Sequence, residues 1–65
     1  MTAMIIVTDR DTCRDLASHL ARVWDGVRPD RCHRTRTVAA TGDERAVDLA
    51  CIVALARMRG AEVAS

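Results

Sequence analysis

The order of apolar and polar residues along the chain predicts two short strands, each followed by a helix. Residues 4–7 form an apolar run rich in β-branched side chains, which is typical of a buried strand. Residues 35–40 are again rich in β-branched side chains and predict a second strand, and residues 41–59 predict the second helix. The first helix is indicated by apolar residues at helical spacing, namely Cys13, Leu16, Leu20, Val23, Trp24 and Val27.

Both predicted helices carry start and stop signals. Thr8 is the candidate N-cap of the first helix, and Thr41 with Glu44 three residues later forms a capping box for the second. Gly26 and Gly60 follow at positions where helices commonly end. The chain therefore has two helices with sequence-defined boundaries.

The two halves of the chain match at an offset of 33 residues, which aligns Thr8 with Thr41. The repeat predicts one small α/β domain over residues 1–65, built as βαβα from units 4–27 and 35–60. An α+β arrangement is the alternative. Because a βαβ crossover favours parallel strands and a right-handed connection, we expect a two-stranded parallel sheet with both helices on one face.

The second helix differs from the first because it is apolar on more than one side. Residues 49–56 include no polar side chain, and a helix that is apolar all round must be covered all round. One stripe, expected to face the core, consists of Ala46, Leu49, Ala50, Val53 and Ala56. A second stripe consists of Val47, Cys51, Ala54, Leu55 and Met58. We predict that this second stripe forms a homodimer interface across a two-fold axis; packing of the stripe within its own chain is the alternative.

Composition limits the class of protein. With 65 residues, the chain is near the lower size at which a core supports itself. The net charge of +1 gives no strong overall field to attract nucleic acid or an anionic membrane. All ten basic residues are Arg and eleven residues are Ala, a bias that indicates a GC-rich genome, such as that of a bacterium or its phage.

Cysteine usage and hydropathy bear on the compartment. Cys13, Cys32 and Cys51 are odd in number and widely spaced, which is a poor disulfide framework and favours a reducing, cytoplasmic setting. The apolar run 49–56 is far shorter than the roughly 20 residues that span a bilayer. We therefore predict no membrane partner.

Four acidic residues gather where the predicted strands end and the helices begin. If the strands were parallel, Asp9, Asp11, Asp43 and Glu44 would share one edge of the sheet, where carboxylates can hold a divalent metal. Stabilisation of the positive helix ends by these side chains is the preferred explanation. Because the sequence also contains no nucleophile or phosphate-loop motif, we predict no catalytic residue, metal site or cofactor, and no enzyme.

The segment 28–36 is rich in arginine. Its four arginines are Arg28, Arg31, Arg34 and Arg36. A guanidinium group binds phosphate well through its planar fork, so nucleic acid is a candidate partner. A solvated basic loop is the simpler interpretation, and the absence of Phe and Tyr argues against binding by base stacking.

From these features we predict a small non-catalytic protein-interaction or accessory protein that acts as a homodimer and binds a further protein. The alternative is a nucleic-acid-binding accessory protein that uses the Arg-rich segment 28–36.

Overall fold

The computed structural model describes residues 1–23 and 26–64, and shows a small α+β domain. Two helices and four strands follow one another in the order βαββαβ. They are β1 (Thr2–Ile6), α1 (Arg10–Val23), β2 (Val27–Cys32), β3 (Thr37–Gly42), α2 (Glu44–Arg57) and β4 (Glu62–Ala64). Trp24, which the sequence places in the apolar stripe of the first helix, lies outside the described residues.

The four strands form one antiparallel sheet in the order β2-β3-β1-β4. Strand β1 is central: Ile5 pairs with Val38 of β3 on one side and with Val63 of β4 on the other. Strands β1 and β2 are joined by α1 and run parallel to each other, but β3 lies between them. This is the split βαβ arrangement of ferredoxin-like domains, which by itself defines no function.

The prediction of a two-stranded parallel sheet is wrong. The strands predicted at residues 4–7 and 35–40 do lie side by side, as β1 and β3, but they are antiparallel. The parallel crossover connects β1 to β2, a strand that the sequence pattern did not reveal. The α+β alternative therefore describes the chain, and the βαβα order is incomplete by two strands.

Both missing strands are edge strands, which need little apolar pattern of their own. In β2 only Val27 is buried, and Pro29 is half-buried. Proline has no N–H for the ladder and is tolerated on an edge strand. In β4 only Val63 is partly buried. Each edge strand is held by hydrogen bonds to a central neighbour, so the polar composition of residues 28–36 was misleading.

Both helices pack on the same face of the sheet, as predicted. The core combines alternate residues of the central strands (Ala3, Ile5, Val38 and Ala40) with residues of α1 (Cys13, Leu16, Ala17 and Leu20) and of α2 (Val47, Ala50 and Ala54). On the opposite, helix-free face, Met4 and Ile6 are 39% and 37% exposed. The sheet thus has one dry face and one open face, as is common for antiparallel sheets.

Aspartates cap both helices, in place of the predicted threonines. A carboxylate oxygen of Asp9 accepts a hydrogen bond from the N–H of Thr12 at 2.8 Å, and Asp43 accepts one from the N–H of Ala46 at 2.9 Å. Thr41 lies in β3, where its hydroxyl is hydrogen-bonded to that of Thr2 at 3.0 Å. The predicted capping boxes are therefore wrong by one or two residues.

The capping residues set the correspondence between the helices at 34 residues rather than 33. Asp9 corresponds to Asp43, and α1 and α2 each contain 14 residues. At this offset the fully buried Leu16 and Leu20 correspond to the fully buried Ala50 and Ala54. The stripe predicted to face the core is consequently wrong in part: of its five residues, Ala50 is buried, Ala46 and Val53 are half-buried, and Leu49 and Ala56 are exposed.

Two glycines have structural reasons to be glycine. A Cβ atom on Gly42 would collide with the backbone carbonyl oxygen of Gly26, where β2 and β3 begin their pairing. Gly60 follows α2 with φ +82°, a left-handed conformation that strains other residues, and a Cβ there would lie 2.7 Å from Thr8. Both positions fix how a helix connects to the sheet.

Candidate functional site

The outer face of α2 exposes three large aliphatic side chains. Leu49, Ile52 and Leu55 follow at intervals of three residues and are 41%, 60% and 52% exposed. We call these three residues the α2 outer face. The corresponding residues of α1 at the offset of 34 are Asp15, Ser18 and Ala21. One helix therefore presents polar or small side chains to solvent where the other presents leucine and isoleucine.

An apolar groove of about 700 Å³ lies beside the α2 outer face. It runs between α2 and the β1–β4 side of the sheet, and most of its lining atoms are apolar. Its lining residues are Met1, Thr2, Ala3, Asp48, Cys51, Ile52, Leu55 and Val63. The groove extends the apolar surface from the helix to the edge strand β4.

The predicted dimer stripe is divided by the structure between core and surface. Val47 and Ala54 are fully buried within the chain, so these two are not available to a second subunit. Cys51 and Met58 are half-buried and pack against the core, while Leu55 is exposed. Packing of most of the stripe inside its own chain was the alternative, and it arises because the inner side of α2 is rotated from the predicted one. The dimer itself stays a prediction.

Leu49 and Ile52 were missed as surface residues because the helix correspondence was set at Thr41. The sequence contained a better signal: Asp9 and Asp43, like Gly26 and Gly60, repeat at 34 residues. An offset of 34 aligns the buried Cys13 with Val47, and so predicts which side of α2 faces the sheet.

The four arginines of segment 28–36 do not form one cluster. Arg28 lies near the start of β2, paired with Thr41, at the far end of the strand from the hairpin. Arg31 lies beside α1, in a shallow depression that includes Ala17 and Pro29. All four arginines are exposed, but only Arg34 and Arg36 belong to the turn between β2 and β3.

Arg34 and Arg36 instead join Arg10 at one end of the sheet. Together with two neighbours they line a groove of about 440 Å³, which we call the basic groove; its residues are Asp9, Arg10, His33, Arg34 and Arg36. Three arginines against one aspartate leave a net charge of two positive. The only ion pairs between described residues are those of Arg14 with Asp11 and Asp15, so Arg10, Arg34 and Arg36 form none within that part of the chain. Arg10 was missed because it belongs to the other half of the chain.

The hairpin that carries two of these arginines is held in shape by its backbone. The N–H of Val7 donates a hydrogen bond to the carbonyl oxygen of Arg36 at 2.9 Å, which ties the turn to the end of β1. The hydroxyls of Thr35 and Thr37 are hydrogen-bonded at 2.8 Å. Arg36 adopts φ 56°, a left-handed conformation that is uncommon for a residue with a side chain.

The acidic residues do not share an edge of the sheet. Because β1 and β3 are antiparallel, the helices that follow them begin at opposite ends, with Asp9 and Asp11 at one end and Asp43 and Glu44 at the other. The shared-edge geometry considered for a metal is therefore wrong. Among the described residues, no group of three His, Cys, Asp or Glu side chains is placed to hold a metal ion.

The three cysteines lie in different environments and form no disulfide. Burial raises the pKa of the Cys13 thiol, which donates a hydrogen bond to the carbonyl oxygen of Thr37, and burial also raises the pKa of Cys51. Hydrogen bonds from the side chain and backbone of Thr35 lower the pKa of the exposed Cys32. Cys32 therefore has the most accessible and most readily ionised thiol of the three.

Comparison with known protein families, with curated proteins and with solved structures finds no match for this chain. Neither α1 nor α2, the helices of the described part of the chain, is long and apolar enough to cross a membrane. Function must therefore be inferred from the surfaces themselves.

Proposed function

We propose that this chain is a small non-catalytic protein-interaction protein that acts as a homodimer through the α2 outer face and the adjoining apolar groove. The observation that supports this proposal is the exposure of Leu49, Ile52 and Leu55 on one helix face. Covering each of these half-exposed side chains would contribute roughly 1 kcal/mol. Contiguous apolar surface of this kind is typical of interaction sites.

The charges that flank the α2 outer face favour a second copy as the partner. Asp48 lies near the start of α2, and Arg59 follows its end. A two-fold axis between Ile52 and Leu55 would align the two helices antiparallel, with Ile52 against the partner's Leu55. It would also place Asp48 near the partner's Arg59, so that unlike charges meet on both sides of the apolar seam.

The area of the chain also favours a contact that includes the groove. Stable interfaces bury about 800 Å² per partner, or roughly a fifth of the 4362 Å² that this chain exposes. Three side chains do not supply that area, whereas the helix, the groove and the β4 edge together can. The helix-free face of the sheet is a weaker candidate, because Thr2, Thr37 and Thr41 place hydroxyl groups among its apolar side chains.

The test is the oligomeric state, measured by light scattering coupled to size-exclusion chromatography. We expect the native chain to be a dimer and Leu55→Glu to be a folded monomer, because each carboxylate would lie in the dry seam. Ala21→Glu places the same charge at the corresponding exposed position of α1 and should remain a dimer. A native chain that is a folded monomer at high micromolar concentration would contradict the proposal.

Charge reversal tests the orientation of the two copies. Asp48→Arg should weaken the dimer, because it places like charges opposite each other, and addition of Arg59→Asp should restore it. If the double variant is no tighter than the single one, the antiparallel arrangement is wrong even if a dimer forms.

The same proposal assigns the protein to a reducing, cytoplasmic setting, an inference from its odd number of cysteines. A further protein partner would bind the dimer on a surface that the α2 contact leaves free. Affinity purification from the source cell, with the native chain and Leu55→Glu in parallel, would separate partners of the dimer from proteins that merely cover the exposed helix.

A second candidate function is nucleic-acid binding, favoured by the exposed arginines of segment 28–36. Binding through phosphate contacts would weaken steeply with salt, with a slope that reports the number of phosphates neutralised. Replacing Arg34 and Arg36 together by Ala should flatten that slope, whereas replacing Arg57 and Arg59 on the far helix end should not. Absence of a gel shift at low salt and micromolar protein would exclude this function.

A further inference from the structure

The basic groove has the features of a discrete anion site rather than of a general basic surface. Its arginines come from two separate segments, with Arg10 on the first turn of α1 and Arg34 and Arg36 on the β2–β3 turn. They converge on one concavity, and among the described residues their charges are not neutralised by ion pairs. Three unpaired guanidinium groups that face one space repel one another, and a bound anion would remove that repulsion.

The frame of the groove is held by backbone contacts that do not depend on a ligand. The carbonyl oxygen of Arg36 is fixed by the N–H of Val7, and the carboxylate of Asp9 is fixed by its cap bond to the N–H of Thr12. The two segments that carry the arginines are thus held on either side of the end of β1. A preorganised frame lowers the entropy that binding costs.

Charge and size narrow the ligand class. The net charge of two positive in the groove matches a phosphate monoester, which carries about −1.5 to −2 at neutral pH, better than it matches a phosphodiester. A volume of about 440 Å³ exceeds that of a bare ion and is in the range of small-molecule sites. Guanidinium forks suit phosphate oxygens, and His33 at the rim offers a ring against which a base or sugar can pack.

We propose that the basic groove binds a phosphate monoester, held by Arg10, Arg34 and Arg36. The monoester can come from a free phosphorylated small molecule or from the 5′-terminal phosphate of a nucleic-acid strand. This proposal is independent of the homodimer, which uses α2, and it differs from the second candidate function because it requires Arg10 and does not require Arg28 or Arg31.

The test is a titration of the full chain followed by amide chemical shifts, with four probes. They are inorganic phosphate, ribose 5-phosphate, a short oligonucleotide with a 5′-phosphate, and the same oligonucleotide with a 5′-hydroxyl. We expect ribose 5-phosphate or the 5′-phosphorylated oligonucleotide to shift residues of the groove, with the hydroxyl form at least tenfold weaker. Saturation by ribose 5-phosphate identifies a small-molecule site, and tight binding of the 5′-phosphorylated strand alone identifies a strand-end site.

Matched variants separate the groove from general electrostatics. Arg10→Gln and Arg34→Gln should each weaken binding at least tenfold, whereas Arg28→Gln, with the same charge change at the other end of β2, should change it less than twofold. Asp9→Asn should tighten binding several-fold, because it removes the repelling carboxylate and asparagine still caps a helix. Glu44→Gln is its control, with the same charge change at the start of α2.

Three results would overturn the proposal. One is the absence of shifts in the groove with millimolar inorganic phosphate and with both 5′-phosphate probes. Another is equal binding of the 5′-phosphate and 5′-hydroxyl strands. The third is an equal loss of affinity in Arg28→Gln and Arg10→Gln; in the last two cases nucleic-acid binding would stand while the monoester site fails.

Discussion

Helices α1 and α2 have the same length, the same aspartate cap and equivalent places over the sheet, but they divide their apolar residues differently. In α1 the large side chains, Leu16 and Leu20, face the core, and the outer side is polar. In α2 the corresponding inner positions are Ala50 and Ala54, and the large residues point outward. Packing alone would favour the arrangement of α1. The reversal in α2 is therefore best explained by a requirement outside the folded chain, which is the basis of the homodimer proposal.

The largest expected effect comes from giving α1 the inner residue of α2. Leu20→Ala removes a fully buried side chain and should lower the free energy of unfolding by about 2–5 kcal/mol, much of what a small domain has. Urea denaturation followed by circular dichroism measures the loss. Arg22→Ala, on the exposed side of the same helix, should change stability by less than about 0.5 kcal/mol. A loss below that for Leu20→Ala would mean that the core described here is wrong.

The next effect comes from giving α2 the outer residues of α1. The triple variant Leu49→Asp, Ile52→Ser and Leu55→Ala carries the residues found at Asp15, Ser18 and Ala21. We expect a folded monomer that is less stable by about 1–2 kcal/mol, through lower helix propensity and lost partial burial. Light scattering and thermal unfolding check both parts. A triple variant that still forms a dimer would move the interface away from α2.

Removal of a helix cap should have a smaller effect. Asp43→Ala leaves the N–H of Ala46 without its partner and should cost about 1 kcal/mol. Thr41→Ala is the discriminating comparison, because it removes only a hydroxyl contact with Thr2 at the surface of the sheet. If Thr41→Ala proved the more damaging in urea denaturation, the cap would lie where the sequence first indicated.

The smallest effect is a pH dependence that belongs to α1. The hydrogen bond from the N–H of Thr12 lowers the pKa of Asp9 below its ordinary value of 3.8. Because the folded state favours the carboxylate, this stabilisation is present above that ordinary value and is lost as the pH falls through the lower folded pKa. Asp9→Asn should therefore make stability fall less between about pH 5 and about pH 2, a difference that urea midpoints can measure. An unchanged acid dependence in the variant would mean that other carboxylates account for it.

The sequence predicted the helices and the two central strands, because these elements carry their own apolar periodicity. It did not predict β2 and β4, whose formation depends on hydrogen bonds to β3 and β1 rather than on buried side chains. Without β2 in view, the crossover through α1 was assigned to the wrong pair of strands, and the direction of β3 followed that error.

The candidate surfaces were only partly predictable for a related reason. A helix that is apolar on several sides does not indicate which side the sheet will cover, so Val47 and Leu55 were placed in one stripe although one is buried and the other exposed. The basic groove depends on Arg10 lying beside the β2–β3 turn. That proximity comes from the sheet order, which no local pattern contains.

The central position of β1 has a consequence for how the chain folds. Its Thr2 pairs with Thr41 of β3, and its Met4 pairs with Ala64 near the other end of the sequence. Neither ladder can form until most of the chain has left the ribosome, and closing such long loops is slow compared with forming local helices. During synthesis, an apolar segment at residues 3–7 must therefore wait without its strand partners, in the state most exposed to association with other nascent chains.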